Sequence, residues 1–288
     1  MEPALEVRGL AKNYGDFRLR DVSFTVPRGG VCGLIGPNGA GKTTIIKLIL
    51  NLVRRDRGEI RAFGMDTVRD EAAVKSRIGF VHENPRFYEH LSLRRVRDTV
   101  APFYPGWNDG LFDRLCGEFD LPPGKRFSRL SRGMKTKFAL ALALSHGADL
   151  LVLDEPTSGL DPVFRRRLLE KLREFIQDEG KAILFSTHIT ADLERIADQI
   201  TFIRDGAVEF SSPLDELLDR WGVVRGGPEL AGPGYEGLFR GVRRGEYGVQ
   251  ALTDDVGRAR RRLDKDVIIE RASLEDIMFY LTKGNGRA

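Results

Sequence analysis

The feature that most constrains the fold is LIGPNGAGKTT, residues 34–44, in which three glycines, a lysine and two threonines follow an apolar run. Its core fits G-x-x-x-x-G-K-[ST], a pattern that belongs between a buried strand and a helix. The apolar run VCGLI predicts the strand, and apolar periodicity predicts a helix over residues 43–52, with Gly58 following its exit. Glycines let backbone N–H groups converge on phosphates, and the helix N-terminus adds positive charge. The segment therefore predicts a strand–loop–helix unit that binds a nucleoside triphosphate.

Further apolar runs predict an α/β core. LLVLD (150–154) is typical of a strand buried on both faces of a parallel sheet, and AILFST (182–187) predicts a second buried strand. Between them lie apolar residues at helical spacing: Phe164, Leu168, Leu169, Leu172, Phe175 and Ile176. The runs ALEVRGL and VSFTV add β-rich segments near the start of the chain. We expect a mixed sheet core of the α/β class.

The pattern changes twice along the chain. Residues 84–147 are mostly helical and are interrupted by prolines, as expected of an inserted helical subdomain within a main domain of residues 1–218. Glycines crowd the stretch after Trp221, which indicates a linker or a loop-rich start to a small C-terminal accessory domain, residues 219–288. In that tail, an arginine cluster at 258–262 reads as a solvated helix face. Apolar residues of the last helix would pack it onto the core or a second subunit: Ile277, Phe279, Tyr280 and Leu281.

Composition narrows the function classes. The formal net charge of +4 over 288 residues gives no argument for nucleic-acid binding. Cys32 and Cys116 form no CxxC pair and are expected to be buried, reduced thiols. No apolar run approaches the roughly 20 residues of a membrane-spanning helix, so we expect the chain to be cytoplasmic.

Polar residues at strand ends supply the candidate chemistry. Lys42 would bridge the β- and γ-phosphates, and the Thr43 hydroxyl would ligate Mg²⁺. Asp154 can hold a Mg²⁺ water, and Glu155 can polarise the water that attacks the γ-phosphate. The alternative is that both acids cap a turn, because Pro156 ends the strand.

Two further features have open readings. His188 follows a buried strand at the usual ligand edge of an α/β sheet, where it either senses the γ-phosphate or is structural. Residues 130–144, LSRGMKTKFALALAL, predict a helix entered through Ser131 and Gly133, which is either a second anion-binding helix end or an ordinary capped amphipathic helix.

In this order the motifs resemble the nucleotide-binding domain of ATP-binding cassette (ABC) transporters, over about three quarters of the chain. GPNGAGKTT resembles the family's Walker A motif, LSRGM its LSGGQ signature, LLVLDEP its Walker B motif with the catalytic glutamate, SGLD its D-loop, and STH its switch histidine. Tyr14 is similar to the aromatic on which the family stacks adenine, although a turn tyrosine packed on the sheet is the competing reading. The nucleotide contacts that the resemblance implies in cis are Gly36, Asn38, Gly39, Ala40, Gly41, Lys42, Thr43 and Thr44.

The resemblance also implies partners. It predicts a head-to-tail homodimer or heterodimer in which each ATP lies between one subunit's Walker A loop and the other's signature helix. Ser131, Arg132 and Gly133 would complete the partner's site, as would Asp161 of the D-loop. A separately encoded transmembrane permease would be driven by dimer closure and opening, and the chain would sit on the inner face of the membrane. No nucleic-acid partner is expected.

Two departures from the family pattern stand out. Glu83 occupies the position where the family usually has glutamine, and it could still reach Mg²⁺ while adding negative charge near phosphate. In the signature, Arg132 and Met134 replace the second glycine and the glutamine. Together with the segments FYPGW and SLEDIMFYLTKG, these variants resemble small bacterial export ATPases for drugs, antimicrobial peptides and cell-envelope compounds.

The sequence therefore predicts the ATPase subunit of a bacterial ABC exporter. One alternative is an ABC protein that acts on DNA or ribosomes, but such members carry long coiled coils or two cassettes, and this chain shows one cassette and no heptad run. A second alternative, a regulatory nucleotide-binding module with little hydrolysis, rests on Glu83 and the altered signature.

Overall fold

The structure is a computed structural model that describes residues 2–235, 237–245, 248–264 and 266–283. Its chain contacts divide it into two compact units, of which the first comprises residues 1–188 and 201–210. The second comprises residues 189–200 and 211–288. Gly284, the last residue of the segment SLEDIMFYLTKG, lies outside the described residues. So do residues 285–288, which the sequence assigns to the accessory domain.

The first unit begins with a four-stranded antiparallel sheet and the buried strand before the glycine-rich loop. The elements are β1 (Leu5–Asn13), β2 (Arg18–Val26), β3 (Gly30–Ile35), α1 (Lys42–Ile49), β4 (Arg57–Ala62) and β5 (Met65–Asp66), with sheet order β2-β1-β4-β5. Every residue of β3 is buried. The predicted helix 43–52 ends early, because Asn51 adopts a left-handed conformation with φ of 50°. Gly58 lies within β4, and is therefore separated from the helix exit by several residues.

A mostly helical stretch follows a short strand. Its elements are α2 (Glu71–Lys75), β6 (Ile78–Val81), α3 (Leu93–Val100), α4 (Asp109–Glu118) and α5 (Arg132–Ser145). Each of the last three helices begins at a side chain that accepts a hydrogen bond from the backbone: Ser92, Asn108 and Ser131. Edge-to-face contacts of the Phe87 ring with Phe127 and Phe138 hold the start of this stretch against α5.

The central sheet carries the carboxyl-terminal edge on which the site is built. The elements that follow α5 along the chain are β7 (Leu150–Asp154), α6 (Pro162–Phe175), β8 (Ala182–Ser186), α7 (Thr190–Ile196), β9 (Gln199–Arg204) and β10 (Ala207–Pro213). The strand order is β10-β9-β3-β8-β7-β6, and β3, β8, β7 and β6 are parallel neighbours. Parallel strands end at one edge, so the loops after β3, β6, β7 and β8 meet there. The predicted α/β class with a mixed core is confirmed.

The second unit contains its own small sheet. Its elements after β10 are α8 (Leu214–Arg220), β11 (Gly222–Gly226), β12 (Gly241–Gly245), β13 (Gly248–Thr253), α9 (Val256–Arg262), β14 (Ile268–Arg271) and α10 (Leu274–Lys283), with sheet order β12-β13-β11-β14. Gly222 and Gly226 belong to the stretch that the sequence assigns to a linker or a loop-rich start of the accessory domain, and in the structure they bound a strand that pairs on both sides and buries Val223 and Val224.

The last helix packs within its own unit. Ile277 and Tyr280 are buried, and α10 contacts α7, β12 and β13. The Leu274 backbone N–H donates a hydrogen bond to Glu194 Oε1 of α7 at 2.6 Å. The arginine cluster of α9 is exposed, as predicted for a solvated helix face.

Both cysteines are free and buried, as predicted. Burial raises the pKa of the Cys32 thiol to about 12 and that of the Cys116 thiol to about 11, because a thiolate is poorly solvated in an apolar interior. Within the described ranges, no helix combines the length and apolar character needed to cross a bilayer.

Candidate nucleotide-binding site

The loop between β3 and α1 is shaped by two glycines whose positions leave no room for a Cβ. Gly36 has φ of 156°, and a Cβ there would lie 2.1 Å from the carbonyl oxygen of Ile203. Gly41 has φ of 113°, and its Cβ would lie 2.6 Å from Leu19 Cδ2 and 2.9 Å from the Phe17 ring. The loop therefore curls tightly over β9 and β2, which leaves its backbone free to face a ligand.

Lys42 is buried in this loop with its charge satisfied by carbonyl groups. Its side chain is 7% exposed, and Nζ donates to the carbonyl oxygens of Gly36 at 2.7 Å and Pro37 at 3.2 Å. Burial lowers the pKa of the Lys42 ammonium, while the carboxylates of Glu155 and Asp154 oppose that shift. A phosphate group that met this ammonium would find it already oriented by the loop.

Thr43 and Asp154 join the loop to the end of β7. Thr43 Oγ1 donates to Asp154 Oδ2 at 3.0 Å, and Asp154 is only 1% exposed. Burial raises the pKa of the Asp154 carboxyl, because the charged form is poorly solvated there. Among the described residues, nothing hydrogen-bonds to Asp154 Oδ1, which is itself buried. A buried, unpartnered carboxylate oxygen beside a hydroxyl fits a divalent cation with oxygen ligands. The described residues contain no group of three His, Cys, Asp or Glu side chains that could hold a metal alone.

Glu155 is oriented by several donors from the end of β8. Its backbone has φ of 52°, and its N–H donates to the Ser186 carbonyl at 2.9 Å. Glu155 Oε2 accepts from Thr187 Oγ1 at 3.2 Å and from the His188 backbone N–H at 3.4 Å. His188 Nδ1 lies 2.8 Å from the same oxygen. The pairing of Asp154 with Ser186 across β7 and β8 brings these groups together.

The predicted signature residues stand at the start of α5, where they are exposed or half-buried. Ser131 Oγ accepts the Met134 backbone N–H at 3.3 Å and so caps the helix. A Cβ on Gly133 would lie 3.7 Å from Leu160 Cδ2, so the helix start lies against the turn after β7. Arg132 Nη2 donates to Glu83 Oε1 at 3.1 Å.

Asp161 and Tyr14 have ordinary structural contacts. Asp161 Oδ1 caps α6 by accepting the Phe164 backbone N–H at 2.9 Å, and this hydrogen bond lowers the pKa of the Asp161 carboxyl. Tyr14 lies in the turn between β1 and β2 and is 50% exposed, with the Lys12 ammonium 5.6 Å from its ring centre. Its ring is thus accessible for stacking.

The remaining predicted loop residues differ in exposure. Asn38 and Gly39 are exposed, Ala40 is buried, and Thr44 is half-buried at the start of α1. The structure therefore joins five predicted residues in one hydrogen-bonded and charge-coupled group: Lys42, Thr43, Asp154, Glu155 and His188.

Sequence reasoning missed two contributors to this site. Thr187 orients Glu155, and its place between the buried strand and His188 is the signal that could have identified it. The pairing of Glu83 with Arg132 was also missed, since 49 residues separate them and no periodicity connects them.

The fold and this arrangement are those of an ABC-type ATPase, and comparisons with known proteins agree. The model of the ABC transporter family matches residues 19–158. The lantibiotic transport ATP-binding protein SrtF of Streptococcus pyogenes is 36% identical over 226 residues, which is 75% of this chain and 96% of that protein. The bacitracin transport ATP-binding protein BcrA of Enterococcus faecalis is 32% identical over 223 residues, covering 76% of this chain and 72% of that protein.

A solved structure points the same way. The ATP-binding subunit of an ABC transporter aligns with a TM-score of 0.69 and 34% identity, covering 75% of this chain and 92% of the other. The chain belongs to the ABC transporter ATP-binding proteins. It is an ATP-binding and ATP-hydrolysing subunit of a bacterial ABC transporter.

Proposed function

We propose that this chain hydrolyses ATP at the edge formed by β3, β7 and β8, with the group of Lys42, Thr43, Asp154, Glu155 and His188 as its machinery. The observation that carries the proposal is the side-by-side arrangement of the Thr43–Asp154 hydrogen bond and the Glu155–His188 contact. The Thr43–Asp154 pair suits a metal ion, and the Glu155–His188 pair suits the attacking water molecule.

The Gly36–Lys42 loop holds the phosphates through its backbone N–H groups, and Lys42 neutralises the charge between the β- and γ-phosphates. Thr43 and Asp154 would hold Mg²⁺, which would offset the negative charge of the phosphates. Glu83 is the third ligand that the sequence predicts, and its carboxylate is engaged by Arg132 in this structure. Tyr14 stacks on the adenine ring.

Glu155 orients the attacking water and accepts its proton as the water oxygen bonds to the γ-phosphorus and the bond from that phosphorus to the β–γ bridging oxygen breaks, which releases ADP and phosphate. The donors on Glu155 Oε2 hold the carboxylate in place for its contact with the water. His188 Nδ1 lies 2.8 Å from Glu155 Oε2. At this edge of the sheet the His188 ring would also lie beside the γ-phosphate.

A second ATPase subunit completes each site in this proposal. Ser131, Arg132 and Gly133 lie at an exposed helix start, where they can meet the phosphates bound by another subunit. Asp161 would contact the same interface. Two copies of this chain would form such an arrangement, and so would this chain together with a related ATPase subunit.

We further propose that the membrane component is a separately encoded permease, and that the chain lies on the cytoplasmic face of the membrane bound to it. The relatives are named for transport systems of bacitracin and a lantibiotic, which supports export of peptide antimicrobials or related cell-envelope compounds. We assign residues 219–288 an accessory or regulatory role.

The first experiment is a mild-detergent pull-down of the tagged chain from its native cells, with partners identified by mass spectrometry. A stoichiometric polytopic membrane protein is expected. Recovery with ribosomes or DNA and without a membrane protein would overturn the transporter role while leaving the ATPase chemistry intact.

The chemistry is tested by Glu155→Gln. Loss of the carboxylate removes the proton acceptor, so turnover should fall by about 10²–10⁴ fold. ATP binding should persist, and the variant should accumulate as an ATP-bound dimer seen by size-exclusion chromatography. Near-normal turnover would remove Glu155 from its assigned role.

A further inference from the structure

Two of the three positions that depart from the family pattern, Glu83 and Arg132, contact each other. Arg132 is the first residue of α5, and Glu83 lies two residues beyond the end of β6. Arg132 Nη2 donates to Glu83 Oε1 at 3.1 Å, with the side chains 51% and 40% exposed. The loop after β6 and the start of the signature helix are therefore joined by one ion pair within a single compact unit.

Glu83 adds a third carboxylate to an edge that already carries two. β6 and β7 are parallel with Val81 opposite Leu153, so Glu83 and Glu155 each lie two residues beyond this pair. Asp154 and Glu155 are the two carboxylates that the edge already carries. An uncompensated negative charge here would repel a triphosphate, and the Arg132 guanidinium compensates it.

Arg132 also lies on the turn that follows β7. A Cβ on Gly159 would be 3.9 Å from both Cδ and Nε of Arg132. Gly159 itself is left-handed, with φ of 72°, so this turn presents bare backbone to the arginine stem. One side chain thus touches the loop after β6 through its charged end and the turn after β7 through its stem.

We infer that Glu83 is a positioning residue that acts through Arg132, and that these two residues form one functional unit. Glu83 holds the guanidinium, and through it the start of α5, in the orientation that presents Ser131 and Gly133 to a second subunit. This inference rests on the proposed ATP-bound dimer. The same pair keeps the charge of Glu83 from opposing the bound phosphates.

A double-substitution cycle tests the pair. In the Glu155→Gln parent, the ATP concentration for half-maximal dimer formation is measured by light scattering for Arg132→Gly, Glu83→Gln and the double variant. Arg132→Gly leaves Glu83 uncompensated and should raise that concentration about two- to five-fold. The double variant carries no charge at either position and has the residues of the usual family pattern, so it should return to within about two-fold of the parent. Additive single effects, without recovery in the double variant, would overturn the inference.

A metal titration separates positioning from direct ligation. If Glu83 instead ligates Mg²⁺, Glu83→Gln would raise the Mg²⁺ concentration needed for dimer formation whether position 132 is arginine or glycine, and the inference fails. We expect that concentration to be unchanged. Arg132→Lys keeps the charge and should retain most of the parent's behaviour, which a purely packing role of the guanidinium would not predict.

The matched control is the ion pair Glu71–Lys75 of α2, whose side chains are 42% and 40% exposed. Replacing both with glutamine should leave ATP-dependent dimer formation unchanged. A parent that stays monomeric with ATP would refute the proposed dimer; the same cycle applied to KM for ATP, with Glu155 intact, would then still decide whether positions 83 and 132 act together.

Discussion

At the scale of single residues, Glu155 is the point where contacts from β8 converge. Thr187, whose side chain is fully buried, donates to it through a hydroxyl, and His188 approaches it through both backbone and ring. A carboxylate held in this way needs little reorganisation to receive a proton.

Thr187→Val should therefore impair turnover more than binding. The substitution keeps the shape and removes the hydroxyl, and one hydrogen bond to a charged group is worth about 1.5–3 kcal/mol. We expect kcat to fall about ten- to one-hundred-fold with KM for ATP unchanged, measured by steady-state phosphate release. Thr201→Val is the control, because the buried Thr201 hydroxyl faces Cys32 Sγ at 3.7 Å and should leave kcat intact. Equal losses in both variants would contradict the role of Thr187.

Asp154 illustrates a cost of the site to stability. Because burial raises the pKa of Asp154, its contribution to the stability of the nucleotide-free protein is complete below the unfolded-state pKa and is lost as pH rises through the folded-state pKa. At neutral pH the ionised carboxylate is therefore destabilising.

Asp154→Asn should stabilise the nucleotide-free protein at pH 7. The nucleotide-free variant should have a higher Tm than the parent, because the cost of burying the charged carboxylate is removed, whereas the extra stabilisation by Mg²⁺ with ATP should disappear. Thermal unfolding with and without each ligand measures both effects. Asp149→Asn, which loses only the 2.5 Å ion pair with Arg77, should show no such gain. A lower Tm for Asp154→Asn without nucleotide would refute this interpretation.

At the scale of elements, the loop between β3 and α1 depends on space as well as on backbone conformation. Gly36 and Gly39 both have positive φ, but a Cβ on Gly39 would meet nothing within 4 Å, while one on Gly36 would collide with the Ile203 carbonyl. The two positions therefore separate strain from steric overlap.

Gly36→Ala should destabilise the protein more than Gly39→Ala. The strain of a left-handed alanine costs about 1–2 kcal/mol in both variants, and only Gly36→Ala must also displace β9. Urea unfolding of the nucleotide-free proteins measures the difference, with Gly39→Ala as the control. Equal losses of unfolding free energy would show that β9 yields freely at Ile203.

Several elements were predictable because their residues repeat a simple pattern. The strands β3, β7 and β8 are continuous apolar runs, and the helix after Ser131 has a capping serine at its entry. The early end of α1 was not predictable, because it depends on the left-handed Asn51 and not on apolar periodicity. Strand β11 was missed because its glycines signal turns locally, while its pairing with β13 and β14 is long-range.

Within the site, motif spacing predicted Lys42, Thr43, Asp154, Glu155 and His188. It could not predict that Lys42 would rest on the carbonyls of Gly36 and Pro37, since that contact depends on how the loop closes. Charge pairs between distant segments, such as Glu83 with Arg132, require the fold before they can be seen.

At the scale of the whole molecule, ligand binding should appear as a stability change. A ligand that binds only the folded protein stabilises it by about 2.7 kcal/mol at a concentration of 100 Kd. For the Glu155→Gln variant, ATP with Mg²⁺ should therefore raise Tm by about 5–10 °C. Differential scanning fluorimetry measures the shift.

Chelation of the metal provides the control for that prediction. With ATP and excess EDTA the rise in Tm should be smaller, because no Mg²⁺ would be left for Thr43 and Asp154 to hold. A shift of equal size without Mg²⁺ would contradict the metal role of these two residues.

The buried thiols of Cys32 and Cys116 make the molecule convenient for labelling. Since thiol reagents attack the thiolate, groups with pKa values of about 12 and about 11 in the interior should react slowly at neutral pH. One cysteine introduced at an exposed position such as Val163 could then carry a fluorophore or spin label without removing the native pair. Distances between two labelled copies would report opening and closing during turnover in an otherwise unaltered chain.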